Sequence, residues 1–151
     1  MTIEGVFSAC NLLAMAGWIL LLALPRQRMA VAIAGTAIPL TLASIYLILL
    51  VLHVRESSGG FSSLAAVAQL FANHWLLLAG WVHYLAFDLF IGAWETRDAV
   101  ARRVPRLFLA PCLVMTFMLG PIGLLGYHLA RTRSHEPLDR AVLPPVPETD
   151  R

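Results

Sequence analysis

Long apolar stretches, not a regular alternation of apolar and polar positions, set the pattern of this chain. A helix that crosses the roughly 30 Å hydrocarbon core of a bilayer needs about 20 largely apolar residues at about 1.5 Å rise each. Four windows meet that requirement: about Gly5 to Leu24, Met29 to Leu52, Phe71 to Trp94 and Arg106 to Ala130. The first two are close to charge-free, with a kink predicted at Pro39. The last two carry polar groups, and in the fourth Pro111 and the Gly120-Pro121 pair are predicted to bend or break the helix. The expected fold is an all-α, polytopic membrane helical bundle of about four transmembrane helices. One transmembrane domain would cover residues 1–130, and a Pro- and charge-rich tail, 131–151, is expected to be disordered.

The connections add detail. His53 to Gly60 reads as a Gly/Ser-rich turn, and Phe61 to Leu70 is too short to span. That run is predicted to be an interfacial or re-entrant helix with Ser62 or Ser63 as N-cap. Glu95 to Arg106 reads as a short basic connection. Four spans would place both termini and the loop after span two on one face. The loops after spans one and three hold Arg26, Arg28, Arg97, Arg102, Arg103 and Arg106, against Arg55, Arg131, Arg133 and Arg140 opposite, so a narrow arginine bias makes loops one and three cytoplasmic.

Composition agrees, with 59% hydrophobic and 13% charged residues, against roughly 45–50% and 25% in soluble domains. The net charge of +2 comes with no dense basic block, which disfavours nucleic-acid binding. Met1 to Glu4 supplies no positive n-region and the first apolar run ends at Pro25-Arg26, so it is expected to be a retained span and not a signal peptide. Cys10 and Cys112 read as small buried residues. No metal or cofactor motif stands out, since His74 and His83 face opposite ways on a helix and no HExxH, phosphate loop or GxSxG elbow occurs.

The chemistry concentrates in Gly80 to Glu95. An Asp at a helix centre in lipid costs about 2.5–3.5 kcal/mol on insertion scales, so Asp88 is expected to face protein and to need a partner or a proton. At 100° per residue, His74, Trp81, Asp88 and Glu95 fall within about 60° of one another, with Gly92 in the same arc and Tyr84 at its edge. His83 points roughly 140° from Asp88, alongside Phe87, Phe90 and Trp94, so the two serve different neighbours. Glu95 and His74 fall near opposite membrane boundaries, where solvated side chains need no special role. In span four, Pro121 frees the Phe117 carbonyl, Thr116 offers a hydroxyl, and Gly120, Gly123 and Gly126 leave one side narrow. A cavity between spans three and four is the expectation.

The strings FSSL (from Phe61), GWVHYLAFDLFIGAWETRDA (from Gly80) and PCLVMTFMLGPIGLL (from Pro111) resemble the abscisic-acid-deficient-four-like family, of the plant plastid protein associated with neoxanthin synthesis. The resemblance implies a multi-pass membrane protein that handles carotenoids, with no tightly bound cofactor. Arginine used without lysine points to a bacterial member in an inner membrane. Converting an epoxy-xanthophyll to its allenic isomer needs an acid for the epoxide oxygen and a base for a polyene proton. Asp88 is the candidate acid, with His83 or Glu95 as partner. Trp81, Tyr84, Phe87 and Phe117 are candidate polyene contacts, with Gly92 and Thr116 completing the candidate binding surface. The expected partners are the bilayer and a hydrophobic small molecule such as a carotenoid, and the small enclosed volume leaves room for a homo-oligomer. Two other classes stay open: a small proton- or solute-coupled transporter or channel, and a scaffold that binds pigment or lipid without chemistry.

Overall fold

A computed structural model describes residues 2–133, and within them every element is a helix, with no strand. Helix α1, Ile3–Ala23, starts where the Thr2 hydroxyl accepts the Gly5 N–H at 3.2 Å, and stops just before Pro25, which disfavours helical geometry in the residue preceding it. Helix α2, Arg28–Glu56, runs on through a π turn at Ile33–Ala37. The disturbance expected at Pro39 takes this form: the proline lacks an N–H and crowds the carbonyl four residues back, and the wider turn absorbs both. Short helix α3, Leu64–Ala72, is capped by Ser63, whose hydroxyl accepts the Ala66 N–H at 3.1 Å. Ser63 is thus the cap among the two serines considered.

Helix α4, His74–Ala101, is longer than the window read for it and ends seven residues later. Polar residues past Trp94 looked like a loop, yet they remain helical because neighbouring helices supply partners for them. Helices α1, α2 and α4 are each long and apolar enough to cross a membrane. Helix α1 runs parallel to α4, with Phe7 beside Trp81 and Trp18 beside Gly92. Helix α2 runs antiparallel, with Gly35 beside Ala93, Tyr46 beside His83, and His53 stacked on Trp75. The contacts are tight: a β-carbon on Gly17 would stand 2.5 Å from a Leu89 methyl, and one on Gly92 would stand 2.6 Å from the Trp18 ring. Outside this core, large apolar side chains such as Leu12, Leu40, Val51 and Phe90 are exposed. A continuous apolar exterior of this kind suits lipid and not water.

The segment expected as a fourth crossing is instead two helices, α5 (Arg106–Leu119) and α6 (Pro121–Arg133), folded back on each other. Gly120 breaks them apart with φ 48°, a conformation that glycine adopts without strain, and Pro121 then opens α6, where its missing N–H is harmless. At about 1.5 Å per residue neither arm reaches 30 Å. A β-carbon on Gly126 would stand 4.0 Å from Cys112 Sγ, and one on Gly123 would overlap the Thr116 backbone and hydroxyl, so the arms lie side by side. Both open ends reach the C-terminal end of α4, where Tyr127 and Arg131 meet Asp98. Pro111 does not break α5, because the carbonyl it frees belongs to Leu107, an exposed residue in the first turn. The tail beyond 133 lies outside the described residues.

Candidate functional site

Asp88 occupies the midpoint of α4, and the hairpin tip comes to meet it. A β-carbon on Gly120 would stand 3.1 and 3.2 Å from the two Asp88 carboxylate oxygens. Only a bare glycine leaves room for a carboxyl against the tip. Asp88 is half-buried, and its Oδ2 is sealed from solvent without a hydrogen-bond partner among the described residues. Such an atom is expensive in an apolar setting and rare in native structures, which makes it a functional candidate.

One turn earlier, Tyr84 donates its hydroxyl to the Phe117 carbonyl at 3.0 Å. That carbonyl lies four residues before Pro121 and therefore has no helical partner, so the tyrosine satisfies the group that the broken helix frees. Phe117 packs edge-on against the buried Trp18, ring centroids 5.5 Å apart. Trp81 donates its indole N–H to Asn11 Oδ1 of α1 at 3.1 Å, and its ring lies 5.3 Å from Tyr84.

Two turns beyond Asp88, Glu95 is fully buried, a correction to the solvated boundary position read from sequence. Thr116 of α5, also fully buried, donates its hydroxyl to both carboxylate oxygens at 3.0 and 3.1 Å. The hairpin covers what would otherwise be exposed surface of α4. A third acid, Asp98, collects Arg102 at 2.9 Å, the Tyr127 hydroxyl at 2.7 Å and Arg131 at 3.5 Å. Three acids of α4, Asp88, Glu95 and Asp98, thus each meet the hairpin.

Other expectations are placed differently. Among the described residues, the main clefts lie beside Pro25 and Arg26, beside His74 and Trp81, and beside Tyr46 and His83, and neither Asp88 nor Glu95 lines them. The glycines taken to border a cavity between spans three and four are used for packing: Gly123 on Thr116, Gly126 on Cys112, Gly120 on Asp88. His83 stacks on Phe87 at 4.5 Å and faces Tyr46 of α2, on the far side from Asp88. Phe87 is with His83 and not with the carboxyl. Gly92 lies under Trp18 and so is taken up by the core. His74 lines an apolar cleft of about 450 Å³ with Ile3, Glu4, Phe7 and Trp81. No group of three or more His, Cys, Asp or Glu side chains among the described residues is arranged to hold a metal.

Besides Asp98, which falls in the stretch read as a basic connection, three participants escaped the sequence reading. Asn11 is a lone amide in an apolar span, and that was a usable signal. Trp18 is one aromatic among many apolar residues and gave none. Tyr127 sat in a segment read as running away from Asp98, so its role depended on the chain reversal.

Among known proteins, the profile of the ABA DEFICIENT 4-like family matches residues 5–127. No curated protein matches the chain, and no solved structure does.

Proposed function

We propose, from the premise that this chain belongs to the ABA DEFICIENT 4-like family, that it is a membrane protein acting on an oxygenated carotenoid or related isoprenoid lipid, with Asp88 as its proton-transfer group. The observation that carries this is the Asp88 carboxyl at the middle of a membrane-length helix, one oxygen sealed and unpartnered, against a broken helix tip. Tyr84 and Trp81, one and two turns before it on α4, offer rings suited to a polyene, and Phe117 supplies a third beside the tip.

One carboxyl suffices for an epoxide-to-allene isomerisation. The acid form gives its proton to the epoxide oxygen as the carbon–oxygen bond breaks, leaving positive charge spread over the polyene. The carboxylate so formed takes a proton from the adjacent polyene carbon, whose electrons form the new double bond. Atoms and electrons balance, and the group ends protonated as it began. His83, on the far face, and Glu95, held by Thr116, have no part in the contact. In this reading Glu95 is a positioning residue that ties the hairpin to α4.

The same reading gives three crossings and a re-entrant hairpin. The hairpin returns the chain to the end that bears loops one and three, so Arg131 and Arg133 join Arg26, Arg28, Arg97, Arg102, Arg103 and Arg106, and among the described residues only Arg55 remains opposite. The arginine bias that was narrow for four spans becomes lopsided, with that end cytoplasmic.

The test is the carotenoid profile of a pigment-producing host carrying the wild type, Asp88→Asn or no chain. Conversion by the wild type, lost in Asp88→Asn at equal membrane content, is the expected result. Unchanged conversion by folded Asp88→Asn refutes the proton-transfer role.

A further inference from the structure

We infer that the arginine-rich end of the bundle binds the phosphate-bearing headgroup of an anionic phospholipid. Three adjoining clefts open there, of about 420, 400 and 360 Å³, and Pro25 and Arg26 line all three. Arg103 and Arg106 join Arg26 in the first, and Arg28 and Arg97 join it in the third. This site is separate from Asp88 and stands whether or not Asp88 acts on a pigment.

Among the described residues, the arginines that line these clefts have no carboxylate partner. Asp98, the acid at this end, is taken by Arg102, Tyr127 and Arg131, while Glu95 is sealed by Thr116. Arg106 turns one nitrogen to the terminal carbonyls of α1, at 2.6 Å from Leu22 and 3.2 Å from Ala23. Arg26, Arg28, Arg97 and Arg103 form no ion pair among the described residues. Converging guanidinium groups without carboxylates suit phosphate oxygens.

Backbone geometry supplies an independent sign. Helix α4 ends in a Schellman turn: the Val104 N–H meets the Ala99 carbonyl at 2.9 Å and the Arg103 N–H meets the Val100 carbonyl at 3.3 Å. The residue in the left-handed position of that turn is ordinarily glycine, yet here it is Arg103, at φ 58°. An arginine kept at a strained position, with its side chain lining a basic cleft, points to binding and not to folding.

A lipid fits better than a free anion. Leu24, Met29, Val100, Leu107 and Phe108 are exposed around the same clefts, so acyl chains find apolar surface directly beside the guanidiniums. Basic pockets between membrane helices on the cytoplasmic side are known to take acidic headgroups.

The test uses the full chain, delipidated in neutral detergent. Binding is measured to phosphatidylcholine nanodiscs with and without one-fifth phosphatidylglycerol, and separately to inorganic phosphate. The variants are Arg103→Gly, Arg26→Gln and, at the opposite end, Arg55→Gln. Glycine suits the φ of residue 103, so Arg103→Gly keeps the turn and removes only the charge. Preference for the anionic nanodisc, weakened about fivefold by Arg103→Gly or Arg26→Gln and untouched by Arg55→Gln, is expected. Equal binding to both nanodiscs overturns the inference, as does wild-type lipid preference in Arg103→Gly, or an equal loss in Arg55→Gln. Arg103-dependent binding of inorganic phosphate without any lipid preference overturns the lipid source.

Discussion

Replacing Gly123 with alanine distinguishes a folded-back hairpin from a straight fourth crossing by the sign of a single number. In a straight helix Thr116 and Gly123 would stand about 10 Å apart along the axis and never touch. Alanine there would relieve a helical glycine and stabilise by up to about 1 kcal/mol. In the hairpin the added methyl falls within the Thr116 nitrogen, Cα and hydroxyl. Backbone atoms cannot rotate aside as a flexible side chain does, so the arms must separate. Overpacking of this kind costs about 1–3 kcal/mol, and shifting Thr116 also disturbs its hydrogen bonds to the buried Glu95. The net expectation is a destabilisation of about 2 kcal/mol, read from tryptophan fluorescence and helical circular dichroism as mixed micelles are titrated with SDS. Gly126→Ala is the internal control, since its β-carbon would stand at an ordinary 4.0 Å from Cys112 Sγ. It should be neutral or slightly stabilising. A Gly123→Ala variant as stable as the wild type, or more so, would falsify the hairpin and with it the placement of the tip beside Asp88.

Three further outcomes test the remaining geometry. Tyr84→Phe strips the Phe117 carbonyl of its donor and should destabilise by about 1–3 kcal/mol, whereas Tyr46→Phe, whose hydroxyl has no such task among the described hydrogen bonds, should change the same unfolding curve little. Thr116→Val leaves the Glu95 carboxyl without its hydroxyl donor at nearly constant volume and should cost a similar amount, while Thr116→Ser retains the bond; equal losses in the two variants would mean that packing and not the hydroxyl matters. A reporter active only in the cytoplasm should be active when fused after Arg133 or inserted between Arg102 and Pro105, and silent in the turn at Ser57–Gly60. Opposite activity of the first two fusions would contradict the return of the chain to the arginine-rich end.

Helix positions were largely readable along the chain, because apolar length is a local property and lipid imposes it residue by residue. The first two windows end within a few residues of α1 and α2, and Ser63 caps α3 as its chemistry suggests. The seam of Trp81, Asp88 and Glu95 was likewise available from helical periodicity, which turns spacing into direction. The break at Gly120-Pro121 was visible too, but a break does not announce its angle. A slight bend and a full reversal both free the Phe117 carbonyl and both use a glycine. The choice rests on partners distant in sequence: Tyr84 for that carbonyl, Thr116 for Glu95, Asp98 for Tyr127 and Arg131. Those pairings carried α4 past Trp94 as helix, turned a boundary glutamate into a sealed one, and brought the end of α6 back beside the end of α4. Periodicity told which way each side chain points from its own axis, whereas what waits there depends on how the axes pack, and that is a sum of weak contacts no single stretch of residues contains.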